Sequence, residues 1–189
     1  MKDLAPEELI RRARALRLLV LDVDGVLTDG RIVLGVEEEL KAFHAQDGLG
    51  ITLAREAGLA VGIITGRSSR CVARRAAELK VDHLVQGRPD KDAALSELLE
   101  SLGLGDHQLA AMGDDWIDLP MLRRAALAAC PADARPELAG HCHVMASARG
   151  GQGAVRDFVD LLLKARGQHK DLLERYLMGR GPAASAQGQ

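Results

Sequence analysis

Leu18-Leu19-Val20-Leu21-Asp22-Val23-Asp24-Gly25 is the stretch on which the fold turns. Four apolar residues run without polar alternation and stop at a carboxylate. That pattern suits a strand buried on both faces of a parallel sheet. Further short apolar runs lie at 60–64, 83–86, 108–112, 127–130 and 143–145. Segments of helical length and period separate them, at 48–57, 69–79, 91–102, 118–125 and 154–165. Gly58 and Gly103 stand just past two of these, where C-capping glycines belong. A leading helix over 6–16 opens on Pro6, Glu7 and Glu8, and a last short one covers 168–178. The repeated alternation predicts an α/β fold, a doubly wound parallel sheet.

One stretch departs from the alternation. Residues 31–34 and 40–44 are strand-like and flank Gly35-Val36-Glu37-Glu38-Glu39, which predicts a β-hairpin flap over about 28–46. The three glutamates read as an exposed tip whose charge discourages edge pairing. The chain is expected to form a single domain over 1–178, with a disordered tail of small and polar residues at 179–189.

Composition sets bounds. With 189 residues the chain can bury a real core, and with four aromatic residues that core must be Ala, Leu and Val. A net charge of -2 argues against nonspecific nucleic-acid binding, which needs a basic surface. The apolar runs are strand-sized, too short to cross a bilayer, and the charged start at Lys2 has no apolar signal-peptide core. Cys71, Cys130 and Cys142 are odd in number and lack paired spacing, so reduced thiols in the cytoplasm are expected.

Chemistry gathers at the predicted strand ends, where open α/β sheets bind ligands. Asp22 and Asp24 follow the first strand, and Thr65-Gly66-Arg67 the second. Lys91 begins the helix after the third, and Asp114, Asp115 and Asp118 follow the fourth. These residue types suit phosphoryl transfer. A phosphate ester repels an attacking anion until its charge is neutralised. Mg²⁺ held by Asp22 and Asp114, with the Lys91 ammonium, does so. The Thr65 hydroxyl and neighbouring N–H groups can fix phosphoryl oxygens. Asp22 can then attack phosphorus, while Asp24 serves the leaving group as acid and the water as base.

The four blocks in this order resemble the haloacid dehalogenase superfamily of phosphatases. The resemblance implies that Asp22 is the nucleophile and Asp24 the acid/base. It implies a Mg²⁺ site made by Asp22, the Asp24 backbone carbonyl and Asp114, with Asp118 and, less directly, Asp115 supporting it. Only a hairpin and one helix fit between Asp24 and Thr65, and one helix and one strand between Thr65 and Lys91, so no cap domain is expected. Among capless members, Leu27-Thr28-Asp29-Gly30, Lys41-Ala42-Phe43, Asp47-Gly48-Leu49-Gly50-Ile51 and Gly150-Gly151-Gln152-Gly153-Ala154-Val155-Arg156 resemble the 3-deoxy-D-manno-octulosonate 8-phosphate phosphatases. That similarity covers about residues 15 to 178. It implies a homotetramer whose flaps complete neighbouring sites, acting on a sugar-acid phosphate, with Thr28, Gly66 and Arg67 at the substrate. A sister enzyme for a nine-carbon sugar acid, or a catalytically silent oligomerisation module, are the alternatives.

Several residues keep two readings. Arg67 suits a substrate carboxylate or merely starts a helix on the surface. Asp47 and Gly48 read as a helix N-cap. Arg149 and the glycines after it line a subunit contact or form a flexible loop. Arg70, Arg74 and Arg75 read as the solvated face of a helix. His141-Cys142-His143 lacks the spaced partners of a zinc site and reads as the approach to a strand.

Overall fold

The computed structural model describes residues 4–36 and 39–181. Six parallel strands form one sheet: β1 (Leu18–Leu21), β4 (Ala60–Ile64), β5 (His83–Val85), β6 (Leu109–Met112), β7 (Leu127–Cys130) and β8 (Val144–Met145). Their order is β5-β4-β1-β6-β7-β8. The chain therefore winds outward from β1 to one side, then returns and winds to the other. Successive side chains of a strand point to opposite faces, so each apolar run feeds two cores. Leu19, Leu21, Ile63 and Met112 meet helices α1 (Pro6–Ala15), α2 (Ala45–Glu56), α3 (Arg70–Glu78), α6 (Ala154–Arg166) and α7 (His169–Leu177). Leu18, Val20, Ile64 and Ala111 meet α4 (Lys91–Leu102) and α5 (Leu119–Arg124) on the other face. The doubly wound α/β architecture is as the sequence predicts. Among the described residues no helix is long and apolar enough to cross a membrane.

The flap is smaller than its sequence suggests. It pairs only β2 (Val33–Leu34) with β3 (Glu39–Leu40), antiparallel. The second arm, expected to reach His44, leaves strand geometry after Leu40 because Lys41 and Phe43 turn inward. Lys41 pairs with Asp24, and Phe43 packs on the core beneath the Arg75 guanidinium, 5.9 Å from its ring centre. Arg75 is therefore a packing residue and not part of a solvated face, whereas Arg70 and Arg74 are exposed. Glu37, Glu38 and tail residues 182–189 lie outside the described residues; Gly179 and Arg180 close the turn after α7.

Asp47 corrects another expectation. Helix α2 begins at Ala45, three residues earlier than predicted, so Asp47 lies in its first turn and caps nothing there. It is 1% exposed and accepts the Gly153 N–H at 3.1 Å and the Arg156 N–H at 2.9 Å. Gly153 has no side chain to satisfy the first turn of α6, and Asp47 does so from the facing helix. The dipole and the orphan donors of α6 thus fasten α2 to it. His143 likewise acts within the fold, accepting the Ala128 N–H on Nδ1 at 3.0 Å where β8 joins the sheet.

Removing this cap should weaken the fold more than the site. Asp47→Ala is expected to cost about 2–3 kcal/mol, since a charged acceptor leaves two buried donors unpaired. Asp47→Asn should cost less. Urea unfolding measures both, and equal stability of Asp47→Ala and the parent would contradict the cap.

Candidate active site

Register brings the chemistry to one edge. Leu21 pairs with Ile63 on one side and Met112 on the other, so Asp22, Thr65 and Asp114 leave neighbouring strands together. The gap between β1 and β6 is where the winding reverses, the place at which such sheets open a crevice. Asp90 accepts the Ala93 N–H at 3.0 Å and so starts α4 with Lys91 pointing at this crevice.

Lys91 is 1% exposed. Its Nζ lies 2.6 Å from Asp22 Oδ1 and 2.5 Å from Asp118 Oδ1. The other oxygen of Asp118 accepts the backbone N–H of Asp114 at 3.0 Å and of Asp115 at 3.3 Å. Asp118 therefore holds both the lysine and the loop that presents Asp114. One oxygen each from Asp22, Asp114 and Asp118 lies within 4.8 Å of the others. Three carboxylates facing one ammonium leave two negative charges in a buried place. Hard oxygen donors with that excess charge fit a hard divalent cation.

The excess is visible in their acidity. Burial, then the charge of Asp118, pushes the Asp22 carboxyl up to about 7 despite Lys91. Burial, then Asp118, Asp22 and Asp115, pushes Asp114 up to about 8. Lys91 is raised: burial opposes its charge, but Asp22 and Asp118 together outweigh it.

Glycines let the loops close around this cluster. Gly25 has φ +91, and a Cβ there would lie 2.0 Å from an Asp114 carboxylate oxygen. A Cβ on Gly150 would lie 1.8 Å from the Gly25 carbonyl oxygen. The Gly150 N–H bonds Asp133 at 2.9 Å and that of Gly151 bonds the Val26 carbonyl at 2.9 Å. This glycine segment is thus a packed support for the nucleophile loop, not a flexible one. Thr28, which the resemblance puts at the substrate, is 1% exposed. Its hydroxyl donates to the Val23 carbonyl and accepts the Gly30 N–H, both at 3.3 Å, so it shapes the same loop.

Thr65 is 2% exposed, and its hydroxyl accepts the Arg67 N–H at 3.4 Å beside Gly66. Asp115 is exposed and caps the turn Trp116–Asp118, accepting the Trp116 N–H at 2.7 Å. Helix α5 then begins at Leu119, one residue after its expected start, with Pro120 in its first turn.

The Asp24 carboxylate lies apart from the other three and pairs with Lys41. Lys41 Nζ also lies 2.8 Å from Glu39 Oε1, and Glu39 Oε2 pairs with Arg67. Glu39 is therefore no exposed tip: its side chain is 15% exposed and faces the crevice. Sequence reasoning missed Glu39 and gave Lys41 no role. No local pattern marks them, because their partners Asp24 and Arg67 stand 17 and 28 residues away in the chain.

Comparison with known proteins agrees with this geometry. Residues 83–156 match the family described as haloacid dehalogenase-like hydrolase. Over 162 residues the chain is 45% identical to the 3-deoxy-D-manno-octulosonate 8-phosphate phosphatase of Escherichia coli K12, covering 85% of this chain and 86% of that one. The chain belongs to the haloacid dehalogenase-like hydrolases. Two solved structures of this hydrolase family extend the likeness through the fold. One, the Moraxella catarrhalis 3-deoxy-D-manno-octulosonate 8-phosphate phosphatase in complex with magnesium ion, phosphate ion and KDO, has a TM-score of 0.87 at 37% identity, covering 90% of this chain and 98% of that one. The Yersinia pestis phosphatase of the same name has a TM-score of 0.83 at 43% identity, covering 86% and 89%.

The acidity of the cluster predicts how this hydrolase responds to pH. Carboxyls raised from 3.8 to about 7 and about 8 hold protons more tightly in the folded chain. Their contribution is present below about pH 4 and drains away as pH rises toward 8. In EDTA the melting temperature should therefore be lower at pH 8.5 than at pH 6. Added Mg²⁺ should raise it more at pH 8.5, where it meets fewer competing protons. Thermal melts at both pH values check this, and a larger Mg²⁺ effect at pH 6 would contradict it.

Proposed function

We propose that this chain is a Mg²⁺-dependent phosphomonoesterase that converts 3-deoxy-D-manno-octulosonate 8-phosphate to 3-deoxy-D-manno-octulosonate and phosphate, in the cytoplasm, for lipopolysaccharide biosynthesis. The reading rests on Asp22, Asp114 and Asp118 meeting around buried Lys91, in a chain 45% identical to a phosphatase of that name. Asp22, Asp114 and the Asp24 backbone carbonyl would hold the ion, which supplies positive charge to the phosphoryl oxygens when bound.

This chain's own residues do the rest. Asp22 attacks phosphorus, and the bond from phosphorus to the sugar oxygen breaks. Asp24 gives its proton to that oxygen, then takes one from the water that attacks the aspartyl-phosphate. Phosphate leaves and Asp22 is restored. Lys91 favours the ionised form of Asp22 against burial and Asp118 and faces the developing charge, and Asp118 keeps Lys91 in place. Thr65 with the Gly66 backbone suits phosphoryl oxygens, and Arg67, at the exposed mouth, suits the sugar-acid carboxylate.

The flap supports a homotetramer with shared active sites. Val33, Leu34 and Leu40 are 51%, 80% and 52% exposed on a hairpin too short to be stable alone. A neighbouring subunit would cover them and close the mouth.

Replacing Asp22 by Asn should lower turnover at least about a thousandfold while the chain stays folded. Phosphate release that persists in that variant would refute the covalent step. EDTA should stop the parent enzyme and Mg²⁺ restore it. By light scattering the mass should be four times that of the chain, and Leu34→Glu should reduce it; an active monomer would overturn the shared lid.

A further inference from the structure

Four charged side chains form a closed network at the mouth. Asp24 pairs with Lys41, and Lys41 with Glu39 at 2.8 Å. Glu39 pairs with Arg67, whose Nε lies 3.9 Å from the second oxygen of Asp24. When all four are ionised their charges cancel. Lys41 is 1% exposed and Arg67 48%, so the network runs from the interior to the point where solvent and ligands arrive. Arg67 is the most exposed member, Asp24 and Glu39 are partly exposed, and Lys41 is buried.

Arg67 already has a carboxylate. Glu39 Oε2 bonds its Nη2, while Glu39 Oε1 lies at ion-pair distance from Lys41 without an aligned hydrogen bond. A guanidinium binds a carboxylate best through two parallel N–H donors. A ligand carboxylate reaching Arg67 must therefore displace Glu39 or share the fork with it. Lys41, 2.8 Å from the other oxygen, would keep Glu39 paired and so lower the cost of displacement. The backbone of β3 permits it: β3 is two residues long, and beyond its pairing with β2 it is tied by Cys71 Sγ donating to the Glu39 carbonyl at 3.0 Å.

We propose that Glu39 is a specificity-determining residue: its carboxylate occupies Arg67 in place of the substrate's carboxylate and is exchanged for it on binding. The proposal rests on the sugar-acid reading above. It goes beyond that reading by assigning to the flap an internal competitor that sets how strongly the site favours esters carrying a carboxylate.

The test compares Glu39→Gln with the parent on two esters. One is 3-deoxy-D-manno-octulosonate 8-phosphate, which carries a carboxylate, and the other is p-nitrophenyl phosphate, which does not. Gln keeps the size of Glu39 but loses its charge. KM for the sugar-acid ester should fall about three- to fivefold, the scale of a half-exposed ion pair. KM for p-nitrophenyl phosphate should stay within about twofold, and any change in kcat through Lys41 and Asp24 should be common to both esters. Inhibition by 3-deoxy-D-manno-octulosonate itself should strengthen by the same factor. Glu39→Ala, checked for folding by circular dichroism, should move KM in the same direction. An unchanged KM for the sugar-acid ester, or equal shifts for both esters, would overturn the role of Glu39 while leaving the substrate reading standing. A parent enzyme that cleaves p-nitrophenyl phosphate but neither cleaves nor binds the sugar acid would remove both.

Discussion

The rest of the structure depends on one buried ammonium among three carboxylates. Lys91 cannot neutralise Asp22, Asp114 and Asp118 together, and burial, with the charge left over, makes Asp22 and Asp114 take up protons near neutrality. A cluster left with that excess costs folding free energy, because ionised groups out of water need compensation. The fold meets part of the cost with backbone donors: Asp118 accepts two N–H groups and Asp22 sits at a strand end. The remainder is the affinity for a divalent cation. A stable apolar replacement would fold more easily and do nothing, so the frustration at this edge is the functional feature.

Holding such a cluster requires loops that approach closer than side chains allow. Gly25 abuts the Asp114 carboxylate, and Gly150 abuts the Gly25 carbonyl. Asp133 and Asp47 then use carboxylates to pin backbone N–H groups of the supporting segments. The nucleophile loop is thereby stiffened from below while its upper side stays open. That division suits phosphoryl transfer, in which positioning and charge supply most of the rate. The flap is built the opposite way, with two pairs of bridging residues, apolar side chains facing outward, and charged ones turned inward to the crevice.

A good deal was legible in the chain before folding. Continuous apolar runs that end on Asp22, Thr65 and Asp114 imply a covered parallel sheet with chemistry at one edge, because burial on both faces removes polar alternation. That inference survives since it rests on local sequence and on the short range of strand geometry. What could not be read was which side chains meet once the chain has folded. Asp47 has the composition of a local cap but serves a helix 106 residues away. Thr28, which the resemblance puts at the substrate, has its hydroxyl bonded within its own loop. Glu39, one of three glutamates in a row, is drawn inward by Lys41 and Arg67.

The sequence by itself thus determined the fold class, the order of the chemical groups and the strand edge at which they emerge. Those follow from hydrophobic period and from residues adjacent in the chain. Tertiary structure alone decided the partner of each charge: Asp118 for Lys91, Lys41 for Asp24, Glu39 for Arg67. Pairing depends on distances between segments far apart in sequence, and electrostatic attraction at those distances appears only once packing has excluded water between them.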